Sequence, residues 1–304
     1  SGGDAHIYRE IVVVHPNPEV IAGVLCTLKK VGLLSGVDAP DNRNAVAKYT
    51  DVRHAYGEGN KLSSVASVLK SLEIAGLLSG DDAKANFDAV VEHAFPSLLL
   101  GALKHNDYKD LIYDDDAQAN FKAVVGHENP ASIAKALCTL KKAGLLSGVD
   151  AQANFKAVVG HSSPYWLNKA IKMLNKENLL SSYDGASDGA QANFKAVVGH
   201  KNPEVIAKAL CTLKNAGLLA GEDAQIYRDI VVAHEKPNDV AHALATLKNN
   251  NLLSGDDAQA NRDAVVGHPN LIALYKAFVV DGSSVGFLAG KDAQANFNAV
   301  IGQG

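Results

Sequence analysis

One segment, DAQANFKAVVGH, recurs along the chain at a spacing that limits what the chain can fold into. It is intact at 116–127 and 150–161, and it returns at 189–200 with Gly189 in place of the aspartate. Altered copies begin at Asp4, Asp38, Asp82, Asp223, Asp257 and Asp292. Most successive copies lie 34 residues apart, a period typical of helix–turn–helix repeats. The chain is therefore expected to stack small units along one axis instead of enclosing one large core.

Each repeat is predicted to contain two helices, A and B. In the repeat at 189–222, apolar residues between Ala190 and Val198 recur at helical spacing and line one face of helix A. Helix B opens with Asn202 and Pro203, an N-cap followed by proline at the first helical position. The aspartate that begins most copies is likewise expected to cap helix A.

Helix B is predicted to end at a residue with left-handed backbone conformation. Gly217 can adopt it, and Leu218 can then fold back on Leu213 in a Schellman motif. Asparagine is the other residue that tolerates this conformation. The same place is held by Gly32, Gly76, Gly144, Asn178, Asn251 and Asp110.

The predicted fold is all-α, a right-handed α-solenoid of about eight two-helix repeats with a 34-residue period, plus a final half repeat. The repeats start at 4, 38, 82, 116, 150, 189, 223, 257 and 292 and are expected to form a single array over 4–303. Residues 1–3 are interpreted as an expression scar. Insertions and rewritten stretches are expected on the A-to-B edge at 48–60 and on the opposite edge at 105–115 and 181–188.

The composition excludes several classes of protein. A net charge of −4 and a pI near 6.2 give no electrostatic footprint for nucleic acid or an anionic membrane. No apolar run is long enough to span a bilayer. Cys26, Cys138 and Cys211 hold equivalent places in different repeats, so they are expected to be unpaired, buried thiols in a reducing, cytoplasmic compartment.

Motifs for catalysis are missing from the sequence. GxSxG, GxxxxGK[ST], HExxH and CxxC do not occur, so we expect no enzyme and no cofactor. Asp184, Ser187 and Asp188 lie in a glycine-rich stretch without the ligand pattern of a calcium loop, and a linker is expected there.

Histidine holds the twelfth place of seven repeats. These residues are His15, His93, His127, His161, His200, His234 and His268, and Tyr49 takes the place in the second repeat. Metal ligands must converge within about 2 Å of one ion, whereas stacked helices lie about 10 Å apart. We therefore expect no metal site, and histidines that bond the last carbonyls of helix A and complement its dipole.

The residues after this histidine vary most between repeats, which is expected of turns that face a ligand, or of exposed positions that drift. Trp166, the only tryptophan, is either a binding anchor or a plug beside the five extra residues of its repeat. The candidate partner-binding residues are Tyr165, Trp166, Arg53, His54, Tyr56, Glu128, Lys201 and Glu235.

The phrases DAQANFKAVVGH, NPEVIAKALCTLKKAGLLSG and LLSGDDAQANRDAVVGH resemble tandem helical repeats of Legionella-type bacterial effector proteins. The resemblance covers nearly the whole chain. It implies an α-solenoid that acts in a host cell, in the host cytosol, by contact with host molecules, and it transfers no catalytic residue.

The period and the twelfth-place histidine also resemble TAL-effector-type repeats, in which the thirteenth residue reads a DNA base. The family's Gly-Gly-Lys-Gln turn is replaced here by Asn-Pro, and the extra residues would break a one-base register. The sequence therefore predicts a non-catalytic scaffold that binds a protein or peptide. DNA binding and a structural spacer in a longer protein are the alternatives, and the oligomeric state is open.

Overall fold

A computed structural model describes residues 2–49, 61–103, 116–181, 187–271, 274, 288 and 292–302. The described part is helical and contains no strand, and consecutive helices pack against each other. The chain divides into two compact modules, Ser1–Cys138 and Thr139–Gly304. The all-α class and the helical repeat are therefore confirmed.

The sixteen helices of the described residues follow the predicted alternation of A and B. They are α1 (Gly2–Val14), α2 (Pro18–Lys30), α3 (Ala39–Ala47), α4 (Lys61–Ile74), α5 (Ala83–Val91), α6 (Pro96–Leu103), α7 (Ala117–Val125), α8 (Pro130–Lys142), α9 (Ala151–Val159), α10 (Pro164–Lys176), α11 (Ser187–Val198), α12 (Pro203–Asn215), α13 (Ala224–Ala233), α14 (Pro237–Asn249), α15 (Ala258–Val266) and α16 (Ala293–Ile301).

The B helices form the tightly packed layer of each module. In the amino-terminal module α4 packs between α2 and α6, and in the carboxy-terminal module α12 packs between α10 and α14. Ile206, Ala207 and Leu210 on α12 consequently have no exposed surface. Small side chains such as Ala207 let helices approach closely on both sides, so the stack can bury a continuous apolar layer with few aromatic residues.

The left-handed end of helix B is confirmed. Gly217 has a φ of 73°, and the Leu218 N–H donates to the Leu213 carbonyl at 2.9 Å. Asn178 and Asn251, with φ of 56° and 59°, are the only non-glycine residues with positive φ among those described. The predicted equivalent at 110 lies outside the described residues.

A second left-handed glycine follows four residues later and was not predicted. In the turn before α13 this is Gly221, with a φ of 82°, and its carbonyl accepts the Ala224 N–H at 3.3 Å. The equivalent residues elsewhere are Gly36, Gly80, Gly148 and Gly255. The chain turns at this second glycine, and the aspartate two residues later, Asp223, already has helical backbone angles.

The prediction that aspartate caps helix A was wrong. Asp223 has φ −80° and ψ −4°, and its side chain makes no capping hydrogen bond. An N-cap side chain reaches the free N–H groups from a non-helical backbone, whereas the backbone of Asp223 is already helical. Two of these aspartates instead form ion pairs with lysines of the next repeat. Lys122 Nζ lies 2.9 Å from Asp82 Oδ1, and Lys195 Nζ lies 3.5 Å from Asp150 Oδ1.

The caps of helix B were predicted in part. Pro203 lies at the predicted first position of α12, but the Asn202 side chain makes no capping bond. Asn129 does cap, accepting the Ser132 N–H through its Oδ1 at 3.2 Å. The backbone N–H of Asn202 is instead bonded by the side chain of His200.

Buried asparagines at the fifth place of the repeat, in the first turn of helix A, hold the B-to-A turns. Asn86 Nδ2 donates to the Leu77 carbonyl at 2.7 Å. Its amide also pairs reciprocally with that of Gln118 in the next repeat, at 2.7 and 2.8 Å. Asn154 with Gln191 and Asn261 with Gln294 repeat this pairing. The asparagine therefore fastens its own turn and the next repeat at once.

The three cysteines form no disulfide, but they are not uniformly buried. Cys138 is buried as predicted, Cys211 is half-buried and Cys26 is exposed. The expectation of a buried thiol was therefore wrong for Cys26, since burial at this place of helix B depends on what packs against it.

Changing Gly217 to alanine is expected to lower the free energy of unfolding by about 1–2 kcal/mol, because a Cβ is strained in the left-handed region. Gly23 is the matched control, since it lies inside α2 without positive φ and an added Cβ there meets open space. Gly23→Ala should raise stability by about 0.5–1 kcal/mol. Urea unfolding of both variants measures the difference, and equal effects would contradict the assigned backbone conformation.

The inter-repeat amide pair can be isolated by comparing two asparagines. Asn42 bonds the Leu33 carbonyl as the others do, but its buried Oδ1 has no partner. Asn86→Ala should therefore cost about 1 kcal/mol more than Asn42→Ala, the usual value of a hydrogen bond. Equal losses in urea unfolding would show that the pair with Gln118 adds no stability.

Candidate functional site

The A-to-B turn is organised by the twelfth-place histidine. In each case its Nδ1 accepts the backbone N–H of the residue two positions later, at 2.9 to 3.1 Å. In the turn before α12 this donor is Asn202. The histidine therefore bonds the backbone N–H of Asn202, the residue immediately before helix B, whose own side chain makes no capping bond.

The other ring nitrogen bonds the next repeat. Nε2 of His15 lies 3.0 Å from the Tyr49 carbonyl. His93 and His161 make the corresponding hydrogen bonds to the backbone of His127 and His200. This differs from the expected geometry, in which the histidine bonds carbonyls of its own helix, and it joins neighbouring turns.

Tyrosine replaces histidine in the second repeat and keeps a bond between repeats. The Tyr49 hydroxyl donates to the Val91 carbonyl in the next repeat. Burial, and then the nearby carboxylate of Glu92, raise the pKa of Tyr49, so the hydroxyl remains a donor.

Both histidine bonds require the neutral ring. Nδ1 accepts only without a proton, and the remaining proton is then on Nε2, which donates. Burial lowers the pKa of His93 and His161, while the hydrogen bonds to the backbone oppose that shift. In the described part of the chain no three histidine, cysteine or acidic side chains are grouped so that they could hold a metal ion.

The residues after the histidine line two clefts in the carboxy-terminal module. One, of about 550 Å³, lies between the turns of repeats five and six and includes Lys156 and Lys201. The other, of about 620 Å³, lies between repeats six and seven and includes Lys201 and Glu235. Lys201 and Glu235 are both exposed, so the structure places these two candidates on one surface.

Tyr165 and Trp166 lie in the first turn of α10. Their rings meet edge to face with centroids 5.0 Å apart, and they are 55% and 46% exposed. The Lys169 ammonium lies 5.1 Å from the centre of a Trp166 ring. About half of the indole surface is therefore open to solvent.

An ion network fixes the lysine beside Trp166. Lys169 and Lys208 each lie 2.9 Å from Glu204 at the start of α12. Hydrogen bonds from Lys208 and Lys169 lower the pKa of Glu204, whose side chain is only 14% exposed. Lys169 thus links the aromatic pair of repeat five to repeat six.

The four remaining candidates lie elsewhere in the sequence. Arg53, His54 and Tyr56 lie outside the described residues. Glu128 is exposed on the amino-terminal module.

A third cleft, of about 880 Å³, lies at the B-to-A turns of the carboxy-terminal module and was not predicted. It is lined in part by Gly148, Lys195 and Arg228. Arg228 is buried, its Nε donates to Asn193 Oδ1 at 2.7 Å, and burial lowers its pKa. The sequence feature that could have indicated this cleft is Arg228, at the sixth place of its repeat, where most repeats have phenylalanine.

Comparison with known proteins returned no matching family model, no matching curated protein and no matching solved structure. Among the described helices, none has the length and apolar character needed to cross a membrane. The function is therefore argued from the surface itself.

Acidification is expected to destabilise the fold through these histidines. Because the folded-state pKa of His161 is lowered, its contribution is complete above the unfolded pKa of about 6.5 and is lost as pH falls from there toward the folded pKa. His161→Gln should reduce the drop in melting temperature between neutral pH and about pH 5.5. His6→Gln, at an exposed side chain, is the control; an unchanged drop in the His161 variant would contradict the neutral bridge.

Proposed function

We propose that the protein is a non-catalytic α-helical repeat scaffold that binds a protein or peptide partner along the A-to-B turns, with Trp166 as its anchor. The observation that carries the proposal is the half-exposed Trp166 ring, held between Tyr165 and Lys169. Tryptophan and tyrosine are the residues most enriched at the energetic centres of protein interfaces. An indole fixed before binding loses little conformational entropy when a partner covers it.

Two clefts along the A-to-B turns of the carboxy-terminal module support an extended contact. The cleft between the turns of repeats five and six and the cleft beyond it share His200 and Lys201. The two clefts therefore lie next to each other along the A-to-B edge, so successive side chains of an extended peptide could enter them. The bond from His161 to the backbone of His200 holds the turns of repeats five and six in register, while the residues after each histidine differ.

Charges along this edge favour a protein over nucleic acid. The first cleft carries Lys156 and Lys201, and the second adds Glu235, Lys236 and Asp239. Alternating signs suit polypeptide side chains of both charges, whereas a phosphate backbone is bound by a continuous basic surface. DNA binding is therefore an outcome to be tested and not a second proposal.

The biological setting of the proposal rests on the sequence resemblance alone. If the chain acts as bacterial effector repeats do, the partner is a host protein and the site of action is the host cytosol. The binding proposal does not depend on this setting.

Replacing Trp166 by alanine is expected to weaken the partner complex by about 2 kcal/mol, roughly 30-fold, as for an interface hot spot. Val149→Ala is the matched control, because Val149 is fully exposed at the opposite, B-to-A edge. The chain and both variants are used to capture proteins from cell lysate. A partner recovered with the chain and the Val149 variant, and lost with the Trp166 variant, is then titrated directly.

Trp166 fluorescence is a specific readout, since the chain has no other tryptophan. A bound partner that covers the indole should shift its emission to shorter wavelength. Equal recovery of every protein with the Trp166 variant would contradict the anchor. Binding to random duplex DNA that falls steeply with salt would instead favour the nucleic-acid alternative.

A further inference from the structure

The cleft at the B-to-A turns of the carboxy-terminal module contains a cation where other repeats have an aromatic ring. Arg228 holds the sixth place of repeat seven, and Phe194 holds the same place in repeat six. Phe194 has no exposed surface, and Arg228 is only 7% exposed. Arg228 therefore occupies a buried place that an apolar side chain fills in the repeat before it.

The arginine changes the bond between repeats. Elsewhere the fifth-place asparagine pairs with the third-place glutamine of the next repeat, as Asn154 does with Gln191. Between repeats six and seven, Arg228 Nε donates to Asn193 Oδ1 instead, at 2.7 Å. Gln225, the glutamine of that place, accepts Arg228 Nη1 at the longer distance of 3.4 Å. Because glutamine makes this link in other repeats, the link itself does not require a charge.

The charge of Arg228 has no counter-ion in contact with it. Both acceptors of its hydrogen bonds are neutral amide oxygens, and it forms no ion pair within 4 Å with a carboxylate of the described residues. Burial lowers the pKa of Arg228, and the charge of the neighbouring Asp229 opposes that shift. A buried cation without a paired anion is costly, and apolar residues often replace it without loss of stability. Packing alone therefore does not account for this arginine.

The guanidinium of Arg228 opens into the cleft. Arg228 lines the cleft of about 880 Å³ together with Lys195 and Gln225. Among the described residues its Nη2 has no hydrogen-bond partner, but that nitrogen is not sealed from solvent. The end of the guanidinium, Nη1 and Nη2, is the part left for a ligand. Two such nitrogens match the two oxygens of a carboxylate in a bidentate pair.

The charges of the cleft favour a carboxylate over a phosphate group. Lys195 adds a second cation, but its Nζ lies 3.5 Å from Asp150. Asp150 and Asp229 both line the cleft. A phosphate group carries up to about two negative charges near neutral pH, so two carboxylates repel it more strongly than a singly charged ligand. Ala192, Ala196 and Val232 line the same cleft and offer contact to an aliphatic stem.

We infer that this cleft binds a carboxylate group, which pairs with Nη1 and Nη2 of Arg228 and has Lys195 as a second cation nearby. An acidic side chain of a polypeptide and a free small carboxylic acid present the same group, and the test below separates these two sources. The site lies at the B-to-A turns, on the edge opposite the A-to-B turns, so it does not depend on the binding proposal for Trp166.

NMR of the full chain with isotope-labelled arginine observes this guanidinium directly. Sodium acetate is titrated near neutral pH, and sodium chloride at the same ionic strength serves as the reference. The guanidinium signals of Arg228, identified by their loss in Arg228→Phe, should shift and saturate with acetate and not with chloride.

Arg262 is the internal control in the same spectra. It holds the sixth place of repeat eight and is also buried. Its guanidinium, however, lies 5.9 Å from the centre of the Tyr227 ring, and its Nε lies 3.9 Å from Asp263 Oδ1. Because Arg262 already has an aromatic face and a carboxylate beside it, its signals should not follow the acetate concentration.

Arg228→Phe separates binding from folding, since phenylalanine holds this place in repeat six. Gln225 is then able to pair with Asn193, as glutamine does elsewhere. The melting temperature should stay unchanged or rise. Acetate binding, followed in this variant by the backbone amide signals of Lys195 and Gln225, should weaken by at least about tenfold. Arg228→Lys should also weaken binding, because it keeps the charge and loses the planar fork.

Two capped seven-residue peptides of glycine, serine and alanine, with glutamate or glutamine at the centre, identify the source. Binding of the glutamate peptide at least as tightly as acetate, without binding of the glutamine peptide, would assign the site to polypeptide side chains. Binding of acetate with exclusion of both peptides would assign it to a free small acid.

Two results would overturn the inference. The first is the absence of a saturable change at Arg228 with acetate and with the glutamate peptide. The second is tighter binding of inorganic phosphate than of acetate, which would contradict the assignment to a carboxylate. Trp166 is unchanged in every variant of this test, so the binding proposal is judged separately.

Discussion

A histidine at the end of helix A joins its A-to-B turn to the next one in the repeats that begin at 4, 82 and 150, and the surface that the turns form depends on it. Its Nδ1 fastens the start of helix B within the repeat. Its Nε2 reaches the backbone of the following repeat, as His15 does to Tyr49. Because both partners are backbone groups, the residues between and after them are free to vary without loosening the frame. Variable side chains such as Lys201 and Glu235 are therefore presented at a fixed spacing.

Buried asparagine performs the same task at the opposite edge. It bonds a carbonyl nine residues earlier in four repeats, for example Asn154 to Leu145. In repeat six, Asn193 makes the equivalent bond to Leu179, fourteen residues earlier. The five extra residues of that turn thus leave the bond intact, which agrees with the small entropic cost of lengthening a loop. Between them, the two side chains couple repeats whose apolar contacts alone do not specify register.

The sequence predicted those features whose causes lie within one repeat. The period, the left-handed Gly217, its replacement by Asn251 and the proline opening helix B all follow from local backbone preferences. The partners of histidine and asparagine could not be predicted, because they are carbonyls in another turn or another repeat. The aspartate caps failed because most of these aspartates, such as Asp223, already have helical backbone angles, from which the side chain does not reach the first N–H groups. Exposure of Cys26 depends on a neighbouring repeat, which its own sequence does not show.

Two surfaces depart from the repeated frame in different ways. Around Trp166 the frame is complete and an aromatic pair stands out from it. At the turns of repeats six and seven the frame is also complete, and the exposed residues that follow the histidine, Lys201 and Glu235, differ in charge. The most direct test of the frame is the tautomer of its histidines, observed by long-range nitrogen–proton NMR of histidine-labelled protein near neutral pH. We predict neutral rings protonated on Nε2 for His15, His93 and His161; protonation on Nδ1, or charged rings, would contradict the bridge between repeats.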